Sequence, residues 1–374
     1  MKFMGKNIFI TGASGYMGKA LVKTMIEADS DRFYLLTRSA RTEEVLKEEF
    51  KWIDPERITY VRGDITLPHL GIPRKTLIQL SRTVEEAWHM AASTSFDESK
   101  KREIETTNIT GTQNVLDFLG LFDKLGLMHY VSTAYVCGKD QGTIPEDRLD
   151  YTNGFKNPYE QTKCECEALV RDSGLPFAII RPSIILGNSK TGESRGETRM
   201  VYGYFLAMYY SALHKFGGEN QFRNYWSDSQ PTIDVDARLP GDGRTTKNLV
   251  TLDDVVNVCM AVKNSTNSQG KTYNLVNPQN ITVGEMANIM QEALKIKGYR
   301  FDPTLTRDNL NRENMTERAV FKHTKPFWPY VNIPEPTWKT DNVNALGIER
   351  VTMTPQLFEF LMKTYLDREL IGAK

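Results

Sequence analysis

The run Asn7 to Gly18, NIFITGASGYMG, constrains this chain more than any other stretch. Asn7 to Thr11 is apolar and β-branched enough to read as a buried strand. Gly12, Gly15 and Gly18 follow at once, and KALVKTMIEA then reads as a helix. Strand, glycine turn and helix in that order form the context that a dinucleotide fingerprint requires. Gly12 permits the tight turn, Gly15 lets the main chain approach a pyrophosphate, and Gly18 lets the helix pack close to the strand. The helix N-terminus offers unpaired N–H groups to phosphate. A bare glycine triplet could be an ordinary turn; its place directly after a strand argues otherwise. Ser14, Tyr16 and Met17 belong to the same turn and are expected to line it.

The pattern repeats downstream. Arg32 to Thr37 (RFYLLT) reads as a second strand. An acid at its end would grip the 2′-hydroxyl of NAD, but the chain has Arg38 and, three residues on, Arg41. A guanidinium there suits a 2′-phosphate and favours NADP(H) over NAD(H), unless both arginines are plain surface charges. Ile58 to Arg62 reads as a third strand. Asp64 after it either meets the adenine amino group or caps a turn. Ala87 to Ala92 reads as a fourth strand whose small residues leave room for a cofactor. Asn108 opens an expected helix, NITGTQNVLDFLGLF, and Met128 to Ser132 reads as a fifth strand. Strands and helices alternating at these lengths predict an α/β fold with a doubly wound, parallel Rossmann-type sheet.

Composition narrows the partners. Among 374 residues, 47 basic side chains balance 47 acidic ones, with no long Lys/Arg run, so a general nucleic-acid binder is not expected. The four cysteines are too few and too irregular for a zinc site or a disulfide framework. Five unclustered histidines argue against a catalytic metal. A reducing, cytoplasmic setting fits best. No stretch is apolar enough for a transmembrane segment. Met200 to Phe216, rich in Tyr and Phe, reads as a buried helix or as the wall of an apolar substrate channel.

Strand C-termini carry the site in this architecture. Ser132, Thr133, Ala134 and Tyr135 follow the fifth strand, and Asn157-Pro158-Tyr159 opens a helix containing Lys163. Tyr159 and Lys163 are four apart and share one helix face. A nearby ammonium favours the phenolate, so the phenol can exchange a proton, while a strand-end hydroxyl holds the same substrate oxygen. Tyr-x-x-x-Lys alone is common by chance; its combination with the glycine turn and Ser-Thr is not.

With these residues the chain resembles the extended short-chain dehydrogenases/reductases. HMAASTSFDES, NITGTQNVL, YVSTAYVCG and IIRPSIILGNSKTGE are similar to the thioester reductases and male-sterility-type fatty acyl-CoA reductases. The resemblance implies catalytic roles for Thr133, Tyr159 and Lys163, with Ser132 as the fallback hydroxyl. Expected cofactor contacts extend to Ile65, Ala91, Ala92, Ser93, Asn108, Ser132, Tyr159, Lys163, Pro182 and Ile184. Expected substrate contacts are Ser95, Thr133, Ala134, Tyr135, Ser183, Tyr204 and Met208. The implied reaction is NADPH-dependent reduction of an acyl thioester, carried on CoA or an acyl-carrier protein, to aldehyde or alcohol. A free ketone, polyketide or quinone carbonyl, a sugar-nucleotide epimerase or dehydratase, and a non-catalytic NADP-binding sensor or scaffold are the rivals. The expected organisation is a Rossmann domain over 1–185, an insertion over 186–247, a return to the core over 248–295, and a smaller, mostly helical substrate domain over 296–374. The helices near Asn108 and Tyr159 suggest, by resemblance, a homodimer. Phe327, Trp328 and Tyr330 beside prolines read as an extended packed segment or as a substrate lid.

Overall fold

A computed structural model describes residues 5–147, 153–198, 200–227 and 232–372. The chain divides into two compact units. The first comprises 1–183, 255–276 and 337–349; the second 184–254, 277–336 and 350–374.

In the first unit, β1 (Asn7–Thr11) leads through the glycine turn into α1 (Tyr16–Ala28). Then come β2 (Arg32–Thr37), α2 (Ala40–Glu49), β3 (Ile58–Arg62), α3 (Arg74–Thr83) and β4 (Glu86–His89). A continuous helical stretch follows as α4 (Lys101–Glu105), a π-helical turn (Thr106–Thr110) and α5 (Gly111–Leu119). Next are β5 (Leu127–Val131), β6 (Thr143–Ile144), α6 (Pro158–Asp172) and β7 (Phe177–Pro182). One parallel sheet of seven strands runs in the order 272–275, β7, β5, β4, β1, β2, β3. The chain reverses direction across the sheet between β1 and β4, which opens a crevice at their C-terminal ends. Ile8 to Thr11 are all buried, as a parallel strand covered on both faces must be. On α1, Met17, Leu21, Val22 and Met25 form the buried stripe.

Two local expectations change. Asn108 lies inside a helix rather than at its start. The preceding turns carry mostly exposed charged residues around Ile104, so no apolar stripe marks them. β4 stops at His89, because its partner β1 ends at Thr11: the Met90 N–H bonds to the Thr11 carbonyl, and the chain of β1 then turns at Gly12 with φ +80°.

The second unit holds the parallel strand pair Ile233–Pro240 and Ile296–Asp302. Its helices include Val201–Phe216, Val283–Ala293, Met315–Thr324 and Pro355–Tyr365. Leu249–Thr251 pairs with Ile184–Leu186 instead of entering the seven-stranded sheet. Of the segment 248–295, only 255–276 therefore lies in the first unit, and 277–295 lies in the second. Conversely, 337–349 joins the first unit, where Thr337–Trp338 pairs with β6. The Phe327–Tyr330 segment is helical, not extended: Lys325–Phe327 and Trp328–Val331 form two short turns with Pro residues at their starts.

Candidate active site

The glycine turn is built for close approach. Gly12 has φ +80°, and a Cβ there would meet the Ala91 nitrogen at 2.5 Å. A Cβ on Gly18 would run into the Gly12 carbonyl oxygen. Gly15 caps α1, and its N–H donates to the Gly12 carbonyl at 3.0 Å. The cap makes no side-chain hydrogen bond and the first turn carries no acidic residue. Its N–H groups and the positive end of the helix dipole thus suit a diphosphate. Ser14 is exposed, Tyr16 half-buried and Met17 buried on the helix underside. This cradle fits a nicotinamide dinucleotide.

Arg38 follows β2 and is exposed, as is Arg41. Glu43, in the first turn of α2, is already held by Lys47 at 2.6 Å and Arg62 at 3.1 Å. The residues directly after β2, Arg38 to Arg41, include no carboxylate. The Asp64 carboxylate accepts from the N–H and hydroxyl of Thr66 at 2.9 and 2.8 Å, the turn-capping alternative. Ile65 is buried, and its carbonyl accepts from Asn114. Ala91, Ala92 and Ser93 leave the sheet at the end of β4 and are half-buried. The Asn108 side chain accepts from the Ser93 N–H at 2.7 Å and donates to the Ser93 carbonyl at 3.0 Å and to the Thr162 hydroxyl at 2.9 Å. It fastens the β4 loop to α6. Ser95 accepts from the Asp97 N–H.

At the end of β5 the Ser132 hydroxyl is buried with no hydrogen-bond partner among the described residues. The Thr133 hydroxyl accepts from the Tyr135 N–H at 3.3 Å. Ala134 and Tyr135 are buried; the Tyr135 ring meets Trp338 edge-on, and Trp338 donates to the Ala134 carbonyl. Helix α6 begins cleanly because the Asn157 side chain accepts from the Glu160 N–H and Pro158 stands at the first helical position. Tyr159 is half-buried, with its ring 5.7 Å from that of Phe96. Lys163 is buried. Its Nζ donates to the Val131 carbonyl at 2.6 Å and lies 4.2 Å from the Tyr130 ring centre. Burial pushes the ammonium down to about 8, against an upward pull from the Cys166 and Glu167 charges. Lys163 therefore ties α6 to the last residue of β5, directly before Ser132 and Thr133.

Behind α6 lies a group that sequence reasoning missed. Arg181 on β7 is fully buried and forks onto Glu167 through Nε at 2.8 Å and Nη2 at 2.6 Å. It also donates to the carbonyls of Pro145 and Asp147 and to the Asn274 side chain. A charged residue inside the apolar FAIIRP strand was the available signal. His89 is likewise enclosed, bonded to the hydroxyls of Thr11 at 2.7 Å and Thr112 at 3.1 Å. Burial, with a smaller push from Lys163, holds it neutral at about 3. His129 is buried and stacks on Trp88 at 4.0 Å. Among the described residues no group of His, Cys, Asp and Glu could hold a metal, and no helix is long and apolar enough to cross a membrane.

Pro182 ends β7, and the Ser183 hydroxyl next to it is buried without a hydrogen-bond partner among the described residues. Ile184, Tyr204 and Met208 belong to the second unit, where all three line an apolar cavity.

Residues 10–236 match the NAD-binding family described as male sterility protein. Fatty acyl-CoA reductase 8 of Arabidopsis thaliana is 31% identical over 165 residues, covering 38% of this chain and 33% of the relative. The chain spans no more than about half the length of such curated relatives; a Drosophila melanogaster relative is covered over 48% of its length. Among solved structures, the terminal R domain from the myxalamid PKS-NRPS biosynthetic pathway superposes with a TM-score of 0.75 at 24% identity, over 100% of this chain and 93% of that one. UDP-glucuronic acid 4-epimerase from Bacillus cereus, in complex with NAD, gives 0.65 at 17% identity, over 98% and 99%. Both likenesses concern the fold alone, an α/β Rossmann-type architecture.

Proposed function

The chain belongs to the male sterility protein family of NAD-binding domains, and from that premise we propose that it is an NADPH-dependent reductase of acyl thioesters, carried on CoA or on a carrier protein. The observation that carries the reading is the 2.6 Å bond from Lys163 to the Val131 carbonyl. It brings the helix-borne Tyr159–Lys163 pair to the strand end that bears Ser132 and Thr133. The similarity to a fatty acyl-CoA reductase and to an R domain supports the thioester class. Arg38, without a competing acid at the end of β2, supports NADPH over NADH.

NADPH, when bound, supplies the hydride that goes to the carbonyl carbon. The glycine cradle and the N-terminus of α1 hold its diphosphate. Thr133 and Tyr159 donate hydrogen bonds to the thioester oxygen as negative charge develops there. The Lys163 ammonium keeps the Tyr159 proton mobile by favouring phenolate. When the tetrahedral oxyanion collapses, the C–S bond breaks, the thiolate leaves and takes up a proton, and an aldehyde remains. A second hydride and a proton give the alcohol.

The test is absorbance loss from NADPH with purified protein, an acyl-CoA panel and a free-ketone panel. Thioester-dependent oxidation with aldehyde or alcohol product is the expected result; turnover of free ketones alone overturns the reading. Tyr159→Phe should lower kcat by roughly 10²–10⁴-fold, and full activity in that variant rules out Tyr159 as the proton donor.

A further inference from the structure

Among the described residues no carboxylate pairs with the buried Lys163 ammonium. A charge taken out of water needs some compensation. The titratable side chains that face it are Tyr159, Cys166 and Glu167 on its own helix α6, Tyr130 on β5 and His89 on β4. Glu167 is taken by Arg181 of β7 through bonds of 2.8 and 2.6 Å. Burial pushes the Cys166 thiol up, and the thiol donates to the Asn108 carbonyl at 3.2 Å, so it stays neutral. Burial also holds His89 neutral at about 3 and pushes the Tyr130 phenol far up. None of these groups hands Lys163 a free negative charge.

Strand β5 supplies the compensation from two consecutive residues. The Val131 carbonyl accepts one N–H at 2.6 Å, and the Tyr130 ring centre lies 4.2 Å from the same nitrogen. A cation over an aromatic face is drawn to its negative quadrupole, most strongly where both are dry. Both are dry here: Tyr130 is 1% exposed and Lys163 2%. Such a contact is worth about 2 kcal/mol, which equals about 1.5 pH units of preference for the ammonium. The ring is held in place. Tyr130 pairs in register with His89, whose ring centre is 5.6 Å from its own. Its hydroxyl meets the Cys166 thiol, and Phe118 and Ile179 belong to the same core.

We propose that Tyr130 is a positioning residue: the face of its ring, together with the Val131 carbonyl, seats the Lys163 ammonium and keeps it charged one helical turn from Tyr159. The proposal rests on Tyr159 and Lys163 as the proton-transfer pair and goes beyond it by naming the residue that holds the charge on the lysine.

The experiment follows the 13Cε signal of Lys163 against pH in lysine-labelled protein, with Lys163→Met identifying the signal. Tyr130→Leu removes the ring and should lower the midpoint from about 8 by about 1–1.5 units. At pH 8 the charged fraction then falls roughly 5- to 15-fold. Tyr130→Phe keeps the ring and should hold the midpoint within about 0.3 unit of the parent. Phe118→Leu is the packing control, since that ring stacks on Phe9 and Phe122 instead; it should lower Tm and leave the midpoint in place. Tyr130→Met stands in for Tyr130→Leu if the latter does not melt cooperatively. The high-pH fall of kcat in NADPH oxidation should move with the midpoint in each variant. An unmoved midpoint without the ring, or an equal fall in Tyr130→Phe or Phe118→Leu, overturns the proposal and leaves thioester reduction standing. A midpoint that falls as expected in protein that oxidises no NADPH with any acyl thioester upholds the seat and overturns the reductase reading.

Discussion

Replacing Glu167 with Leu strands a buried cation. The Arg181 guanidinium has no exposure and is held by the Glu167 carboxylate through two bonds of 2.8 and 2.6 Å. Breaking such a pair from one side costs about 3–5 kcal/mol, because the remaining charge keeps its desolvation penalty. In a unit of roughly 200 residues each kcal/mol moves Tm by about 2–4 °C, so the unit should melt roughly 6–20 °C lower. Arg181→Met leaves Glu167 with Arg171 3.8 Å away, so it should cost less than Glu167→Leu. The double variant Glu167→Leu/Arg181→Met removes both charges and should recover most of the loss. It should stay about 1–3 kcal/mol below the parent, because the carbonyls of Pro145 and Asp147 lose a donor. The sum of the two single losses should therefore exceed the loss in the double variant by several kcal/mol of coupling. Calorimetric melts of the four proteins measure this directly. Additive losses in the double variant, or a shift below about 2 °C in the singles, would refute the claim that this pair is a sealed unit. Glu167 lies one turn beyond Lys163 on α6, so the same singles should also lose NADPH oxidation well below their melting temperatures.

Three other outcomes follow from the site. Gly12→Val should abolish cofactor binding in a fluorescence titration with NADPH, since both the φ of +80° and the 2.5 Å approach of the Ala91 nitrogen reject a side chain; undiminished affinity would refute the cradle. Arg38→Glu should weaken NADPH and favour NADH, changing the ratio of their kcat/KM values by on the order of 10²-fold; an unchanged ratio would remove Arg38 from 2′-phosphate recognition. Lys163 is protonated below about 8 and neutral above it, so kcat should fall as pH rises through that value, and a flat profile from pH 6 to 10 would contradict its role. Because burial lowers this lysine from 10.5, its charge costs stability below pH 8, and that cost fades as pH approaches 10.5, so the loss of rate at high pH is not unfolding caused by this group.

The residues legible in the sequence were those whose chemistry is local. Asn7 to Gly18 carries its strand, turn and helix within twelve consecutive positions, and β1, β2 and β3 run over the expected residues. Tyr159 and Lys163 could be paired because a helix places positions four apart on one face. Elements defined by distant partners were not legible. Trp338 reaches the Ala134 carbonyl, and Asn342 the Glu146 carboxylate, 204 and 196 residues away. The boundaries of the two units follow from such pairings, as with Leu249–Thr251 choosing Ile184–Leu186. Asn108 was expected to contact a cofactor, and nothing in the sequence marked the bonds its side chain makes within the protein. Its amide is fully engaged between Ser93 and Thr162, which makes it a fastener of the β4 loop to α6. Glu167 and Arg181 belong to the same class: each looks like an ordinary charge until its burial is known. Helix α6 is thus held from one side by Asn108, from the other by Arg181, and at its centre by Lys163 on the Val131 carbonyl. Three attachments on three different elements fix a helix in both position and rotation. Rotation sets where Tyr159 points, so Glu167 and Arg181, which no motif marks, bear on it together with Asn108 and Lys163, which motifs do.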